Sequence, residues 1–171
     1  SKTYNTNQQT PDSAGTMTAI TTGVKTKAGL ISVNQNTTRG DCDSQKGNEL
    51  TTSLELAEII GMSTGVVTTA RLTHATPAAT YAHSMDRNFE GDRDASKFSN
   101  PGDCPDIARQ LIEFPDRFQD DYPWVNGLEV ALGGGRRNFI ERIEGIDPED
   151  GGRGERTDGR DLTAEWTSQY Q

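Results

Sequence analysis

The segment Thr64-Gly65-Val66-Val67-Thr68-Thr69 constrains the fold more than any other. It is β-branched and apolar, the composition of a strand buried in a parallel sheet. A second strand is expected at Leu128-Glu129-Val130-Ala131-Leu132, closed by Gly133-Gly134-Gly135. Helix signals stand between and before these two. Pro77 suits the first turn of one helix. Pro105 opens another, in which Ile107, Ala108, Leu111 and Ile112 share a face. Upstream, Thr52-Ser53-Leu54-Glu55 offers a capping box for a helix reaching Ile60 and ending at Gly61. Strand–helix alternation of this kind predicts an α/β domain with a mainly parallel central sheet flanked by helices. Leu30-Ile31-Ser32-Val33 reads as a short strand or extended piece. The Gly- and charge-rich stretch from Asp147 to Arg160 reads as a mobile surface loop, and Asp161 to Trp166 begins a last element.

Chemistry is suggested first by Thr10-Pro11-Asp12-Ser13-Ala14-Gly15-Thr16-Met17-Thr18-Ala19. A helix is expected from Ser13 to about Gly23, whose lack of a Cβ suits a C-terminal stop. Ser13 then sits at a helix mouth, where unpaired N–H groups and the positive end of the dipole favour anions. Such a hydroxyl is either a nucleophile for phosphorus or an ordinary N-cap, and on this stretch alone the cap is the commoner use.

With 26 Asp plus Glu against 17 Lys plus Arg, the chain carries a net charge of −9. That surface repels nucleic acid and anionic membrane, so neither is an expected partner. Lysine occurs only at positions 2, 25, 27, 46 and 97, an acidic, lysine-poor pattern that fits salt adaptation as well as an ordinary acidic surface. No stretch of about twenty apolar residues is present to span a membrane. Cys42 and Cys104 lack the paired spacing of a zinc knuckle. They are either two free thiols or a disulfide, the better fit, which would imply an oxidising compartment. Asn36-Thr37-Thr38 is a glycosylation sequon, meaningful only in a eukaryotic secretory context.

Two further stretches decide between the readings of Ser13. One is Leu72-Thr73-His74-Ala75-Thr76-Pro77-Ala78-Ala79, followed by Tyr81-Ala82-His83-Ser84-Met85-Asp86-Arg87; the other is Val130-Ala131-Leu132-Gly133-Gly134-Gly135-Arg136-Arg137. The ordered set Asp-Ser-Ala, His-Ala-Thr-Pro-Ala, Tyr-Ala-His with Arg, and Leu-Gly-Gly-Gly resembles the alkaline phosphatases. The likeness includes Thr22-Gly23-Val24-Lys25 and Gly65-Val66-Val67-Thr68-Thr69, and runs through nearly all of the 171 residues.

The resemblance implies a phosphomonoester hydrolase in which Ser13 is the nucleophile and is transiently phosphorylated. Arg87 matches the phosphate-binding arginine, whose planar guanidinium can hold two phosphoryl oxygens, and Asp12 would orient it. Two zinc ions and one magnesium ion are implied, with Ser13 facing zinc and Thr76 ligating magnesium through its hard hydroxyl. His74, where some members carry aspartate, would serve the magnesium site through water. Some members bridge cysteines in the segments of Cys42 and Cys104. His83 is expected to pack or cap rather than bind metal, and the three glycines to form a strand-end turn rather than an anion nest. Most zinc ligands of the family lie beyond both ends of these 171 residues. The chain therefore reads as part of one catalytic domain, inactive by itself, from a secreted or periplasmic homodimer inhibited by phosphate. Two other readings are a superfamily phosphodiesterase or sulfatase, and a non-catalytic anion-binding paralogue. Neither cysteine has the sulfatase setting, and a pure binding module has no need of a nucleophile.

Overall fold

The structure, a computed structural model, describes residues 4–147 and 151–169. Helix α1 (Ser13–Thr22) ends at Gly23, which takes φ 75° and returns its N–H to the Ala19 carbonyl. Only glycine adopts that left-handed stop without strain. Helix α2 (Ser53–Ile59) starts with both halves of the capping box, Thr52 accepting from the Glu55 N–H while the Glu55 carboxylate accepts from the Thr52 N–H. Strand β1 (Gly65–Arg71), helix α3 (Ala75–Tyr81), helix α4 (Ile107–Ile112), strand β2 (Val130–Gly134) and helix α5 (Leu162–Gln169) follow.

β1 and β2 pair in parallel, Gly65 opposite Val130, Val66 opposite Ala131 and Val67 opposite Leu132. Period-two alternation turns Val66 and Ala131 toward the core and leaves Val67, Val130 and Leu132 exposed on the other face. The core joins that inner face to Ala75, Ala78, Ala79 and Tyr81 of α3, Ile107, Leu111 and Ile112 of α4, and Phe114, Leu128, Phe139 and Leu162. α1 packs on α3 through small residues, and Thr21 donates its hydroxyl to the Ala79 carbonyl at 2.9 Å.

Several expectations are corrected. Leu30–Val33 joins no sheet: Ile31 bridges Ser84, Val33 bridges Glu49, and Ser32 between them takes φ 46°. That kink is secured because the Ser32 N–H donates to the Thr18 hydroxyl and its own hydroxyl to the Ala79 carbonyl. β2 starts two residues later than expected and takes in Gly133 and Gly134. A Cβ on Gly133 would stand 2.8 Å from Thr68 Cγ2, so close backbone approach explains the glycine there. Gly135, at φ 86°, makes the turn. α4 is capped by Asp106 rather than opened by Pro105.

Of the stretch from 147 to 160, residues 148–150 lie outside the described residues; 151–160 form no helix or strand and run over the surface as expected, but are anchored at two buried points. Arg156 is fully buried and ion-pairs with Asp106 and Asp158, while Gly154 is buried where a Cβ would fall on the carbonyls of Ile140 and Glu141. His83 packs, as expected. Its ring nitrogens face Glu55 Oε1 and the Ser32 carbonyl, each at 2.8 Å, locking α2 to the end of α3. Cys42 and Cys104 are bridged, with Cα atoms 5.8 Å apart, beside a small cluster of Met85, Phe89 and Phe98.

Candidate active site

Asp12, not Ser13, caps α1. Its backbone is extended (φ −103°, ψ 169°) and its Oδ1 accepts from the Gly15 N–H at 3.0 Å. The serine is thereby released from capping and stands as the first helical residue, half-buried, among N–H groups that have no intrahelical acceptor.

The Asp12 carboxylate is the hub. Oδ1 also accepts from Asn5 Nδ2 at 3.0 Å; Oδ2 accepts from the Gly29 N–H at 2.9 Å and from Arg87 Nη1 at 3.2 Å. Burial by itself would raise the Asp12 pKa. The donors, Gly15 first, then Asn5, Arg87 and Gly29, more than reverse that and hold it below the ordinary value. Arg87 is therefore tied to the residue beside Ser13 across 75 positions of sequence. Its backbone is held as well, the Arg87 N–H donating to the Gly29 carbonyl at 2.8 Å.

The second terminal nitrogen of Arg87 lies 3.2 Å from His74 Nε2. A guanidinium can only donate, so Nε2 is the acceptor and the His74 proton sits on Nδ1. Burial first, then the Arg87 and Arg71 charges, lowers the His74 pKa, which keeps the ring neutral. His74 is the N-cap residue of α3 but makes no side-chain cap bond, so its ring is free to turn toward Arg87. Its Nδ1 is buried and has no partner. A buried N–H of this kind suits an acceptor such as a water oxygen.

Thr76 is exposed in the first turn of α3, two residues from His74. The structure thus joins Asp12, Arg87 and His74 directly, sets Ser13 next to Asp12, and puts Thr76 on the same helix start as His74. Among the described residues no group of three or more His, Cys, Asp or Glu side chains converges as a metal site. The donor set here fits part of a hard-cation site, one hydroxyl plus one water-directed imidazole, and does not by itself fit zinc.

Sequence reading missed Asn5, Gly29 and Glu90. Glu90 accepts from both Arg71 (2.8 and 2.7 Å) and Thr73 (2.6 Å), stiffening the turn that leads to His74. Nothing in its local sequence signals this, because these partners come from the last residue of β1 and the turn after it.

The family model for alkaline phosphatase matches residues 1–171. The chain is 44% identical over 169 residues to the tissue-nonspecific alkaline phosphatase of Gallus gallus, covering 96% of this chain and 30% of that protein. It is 41% identical over 172 residues to the Homo sapiens tissue-nonspecific isozyme, covering 98% and 31%. The alkaline phosphatase from the Antarctic bacterium TAB5 superposes with a TM-score of 0.64 at 25% identity, covering 98% of this chain and 34% of that one. The chain spans about a third of the length of the relatives it matches.

Proposed function

The chain belongs to the alkaline phosphatase family, and from that premise we propose that the protein carrying it hydrolyses phosphate monoesters at alkaline pH through a phosphoserine at Ser13. The observation that carries this reading is the Asp12–Arg87 pair beside a serine freed from capping. Arg87 uses one N–H of Nη1 on Asp12 and one of Nη2 on His74. A guanidinium has five N–H groups, so one on each terminal nitrogen is left for two phosphoryl oxygens. Asp12 fixes the plane of that fork. The helix mouth supplies further N–H groups for an anion held against Ser13.

In the first step the Ser13 oxygen forms a bond to phosphorus as the ester P–O bond breaks, and the leaving oxygen ends protonated as an alcohol. In the second, water attacks phosphorus, the Ser13 O–P bond breaks, inorganic phosphate leaves and the serine hydroxyl is restored. When bound, zinc would supply the Lewis acidity that a serine hydroxyl and a poor leaving group require. Ser13 is the one residue of this chain assigned to face zinc; Thr76 would ligate magnesium, and the His74 Nδ1–H would serve that site through water. With so few donors, the 171-residue stretch alone is inactive. A homodimer, inhibition by phosphate, a secreted or periplasmic location and a salt-rich habitat belong to the same proposal. The Cys42–Cys104 bridge and the net charge of −9 support the last two.

The test is Ser13→Ala in the full-length, metal-loaded protein, with labelled phosphomonoester and acid quench. Label should be trapped covalently on the parent and not on the variant, with turnover falling by orders of magnitude. Label trapped equally on Ser13→Ala overturns the assignment.

A further inference from the structure

Asn5 lies in the segment before α1 and is 3% exposed, unusual burial for an amide. Its Nδ2 donates to Asp12 Oδ1 at 3.0 Å, and since a carboxylate only accepts, this fixes the orientation of the amide. The carboxamide rests against the α1 backbone at Gly15, where an added Cβ would fall on the Asn5 side-chain oxygen. Gly15 is an ordinary helical residue, so space for Asn5 explains the glycine, not backbone conformation.

The neighbours of Asn5 make the contact part of a brace. The Thr6 N–H donates to the Thr26 carbonyl at 3.0 Å, and Asn7 Oδ1 accepts from the Ala28 N–H at 2.8 Å. The next residue, Gly29, donates to Asp12 Oδ2 and accepts from the Arg87 N–H. Residues 5–7 therefore hold both sides of the Asp12 carboxylate: Oδ1 directly, and Oδ2 through the 26–29 loop. Arg87 reads the result, because its Nη1 hydrogen bond ends on Oδ2.

We propose that Asn5 is a positioning residue for phosphate binding, acting through Asp12 to aim the Arg87 fork, with Gly15 as the space that admits it. The inference rests on the phosphomonoesterase reading above. Removing Asn5 leaves Oδ1 with a single donor and lets the carboxylate rotate about its Cβ–Cγ bond. The loss falls on ligands that Arg87 grips, in the ground state and in the transition state alike.

The experiment uses the full-length, metal-loaded enzyme and inorganic phosphate as a competitive probe. Asn5→Ala should raise the phosphate Ki and the KM about fivefold, the scale of one hydrogen bond, with a smaller change in kcat. In an Arg87→Ala background the same substitution should change Ki less than twofold, since no fork is left to aim. Gly15→Ala, which evicts the Asn5 side chain, should repeat the rise in Ki. A phosphate Ki within twofold of the parent for Asn5→Ala overturns the inference, as does an undiminished rise in the Arg87→Ala background. Should Asn5→Ala fail to fold, Gly15→Ala decides by the same thresholds. A parent enzyme that does not hydrolyse a phosphomonoester would remove the activity itself and the inference with it. Inhibition of the parent that Asn5→Ala leaves unmoved removes only the inference.

Discussion

Replacing Asp12 by asparagine keeps the shape of the side chain and removes its charge and one acceptor. The four donors around it make the outcome calculable. Oδ1 receives Asn5 Nδ2 and the Gly15 N–H; Oδ2 receives the Gly29 N–H and Arg87 Nη1. An asparagine must turn its NH2 toward one of these pairs, so two of four hydrogen bonds become donor–donor contacts in either orientation. Turned one way, the helix cap is lost; turned the other, Arg87 and Gly29 are released. Bonds to a charged acceptor are worth about 1.5–3 kcal/mol each. The Asp12–Arg87 pair is partly solvated, at 20% and 24% side-chain exposure, so water recovers some of that. We expect Asp12→Asn to lose about 3 kcal/mol by urea unfolding at neutral pH. The folded pKa of Asp12 lies below its reference of 3.8. Its stabilisation is therefore complete above that value and is lost as pH falls through the folded pKa, so parent and variant converge in acid. A variant within about 0.5 kcal/mol of the parent at neutral pH would refute the hub assigned to Asp12, that being the range of ordinary surface substitutions. So would a gap that does not narrow below pH 3.8.

Three further outcomes follow from the same geometry. The Cys42–Cys104 bridge spans a sequence separation of 62, so Cys42→Ser with Cys104→Ser should lose up to about 4 kcal/mol in urea unfolding, and undiminished stability would refute a bridge that constrains the unfolded chain. Arg156→Met leaves Asp106 buried without its counter-charge, at a position where burial already pushes the Asp106 pKa up. It should lose about 3–5 kcal/mol, and adding Asp106→Asn should restore part of the loss; no restoration would mean the pair is not what holds the 151–160 segment. The inactivity proposed for residues 1–171 alone is checked by assaying them with zinc and magnesium, where turnover near that of the full-length protein would show the metal ligands to be misassigned.

Sequence alone determined what is decided within a few residues. The Thr52–Glu55 capping box, the Gly23 stop and the β1 segment were all legible because each depends on side chains and dihedrals at short spacing. The ordered pattern that holds Ser13, His74, Thr76 and Arg87 was legible as a family's, and the family match bears out that resemblance; no local physics would have joined those residues. The errors have one kind of cause. Leu30–Val33 has the composition of an extended piece, but the left-handed φ of Ser32 is imposed by the hydrogen bonds that its N–H and its hydroxyl donate to Thr18 and Ala79. Gly and charge dominate the loop at 151–160, and nothing within it announces that Arg156 finds Asp106 fifty positions upstream. Asn5 is an ordinary polar residue in the sequence and a brace in the structure, because Asp12, Gly15 and the 26–29 loop meet around it. Tertiary structure decided which polar groups find partners, since a hydrogen bond depends on a few ångströms of separation that closely packed elements fix and a linear sequence does not express.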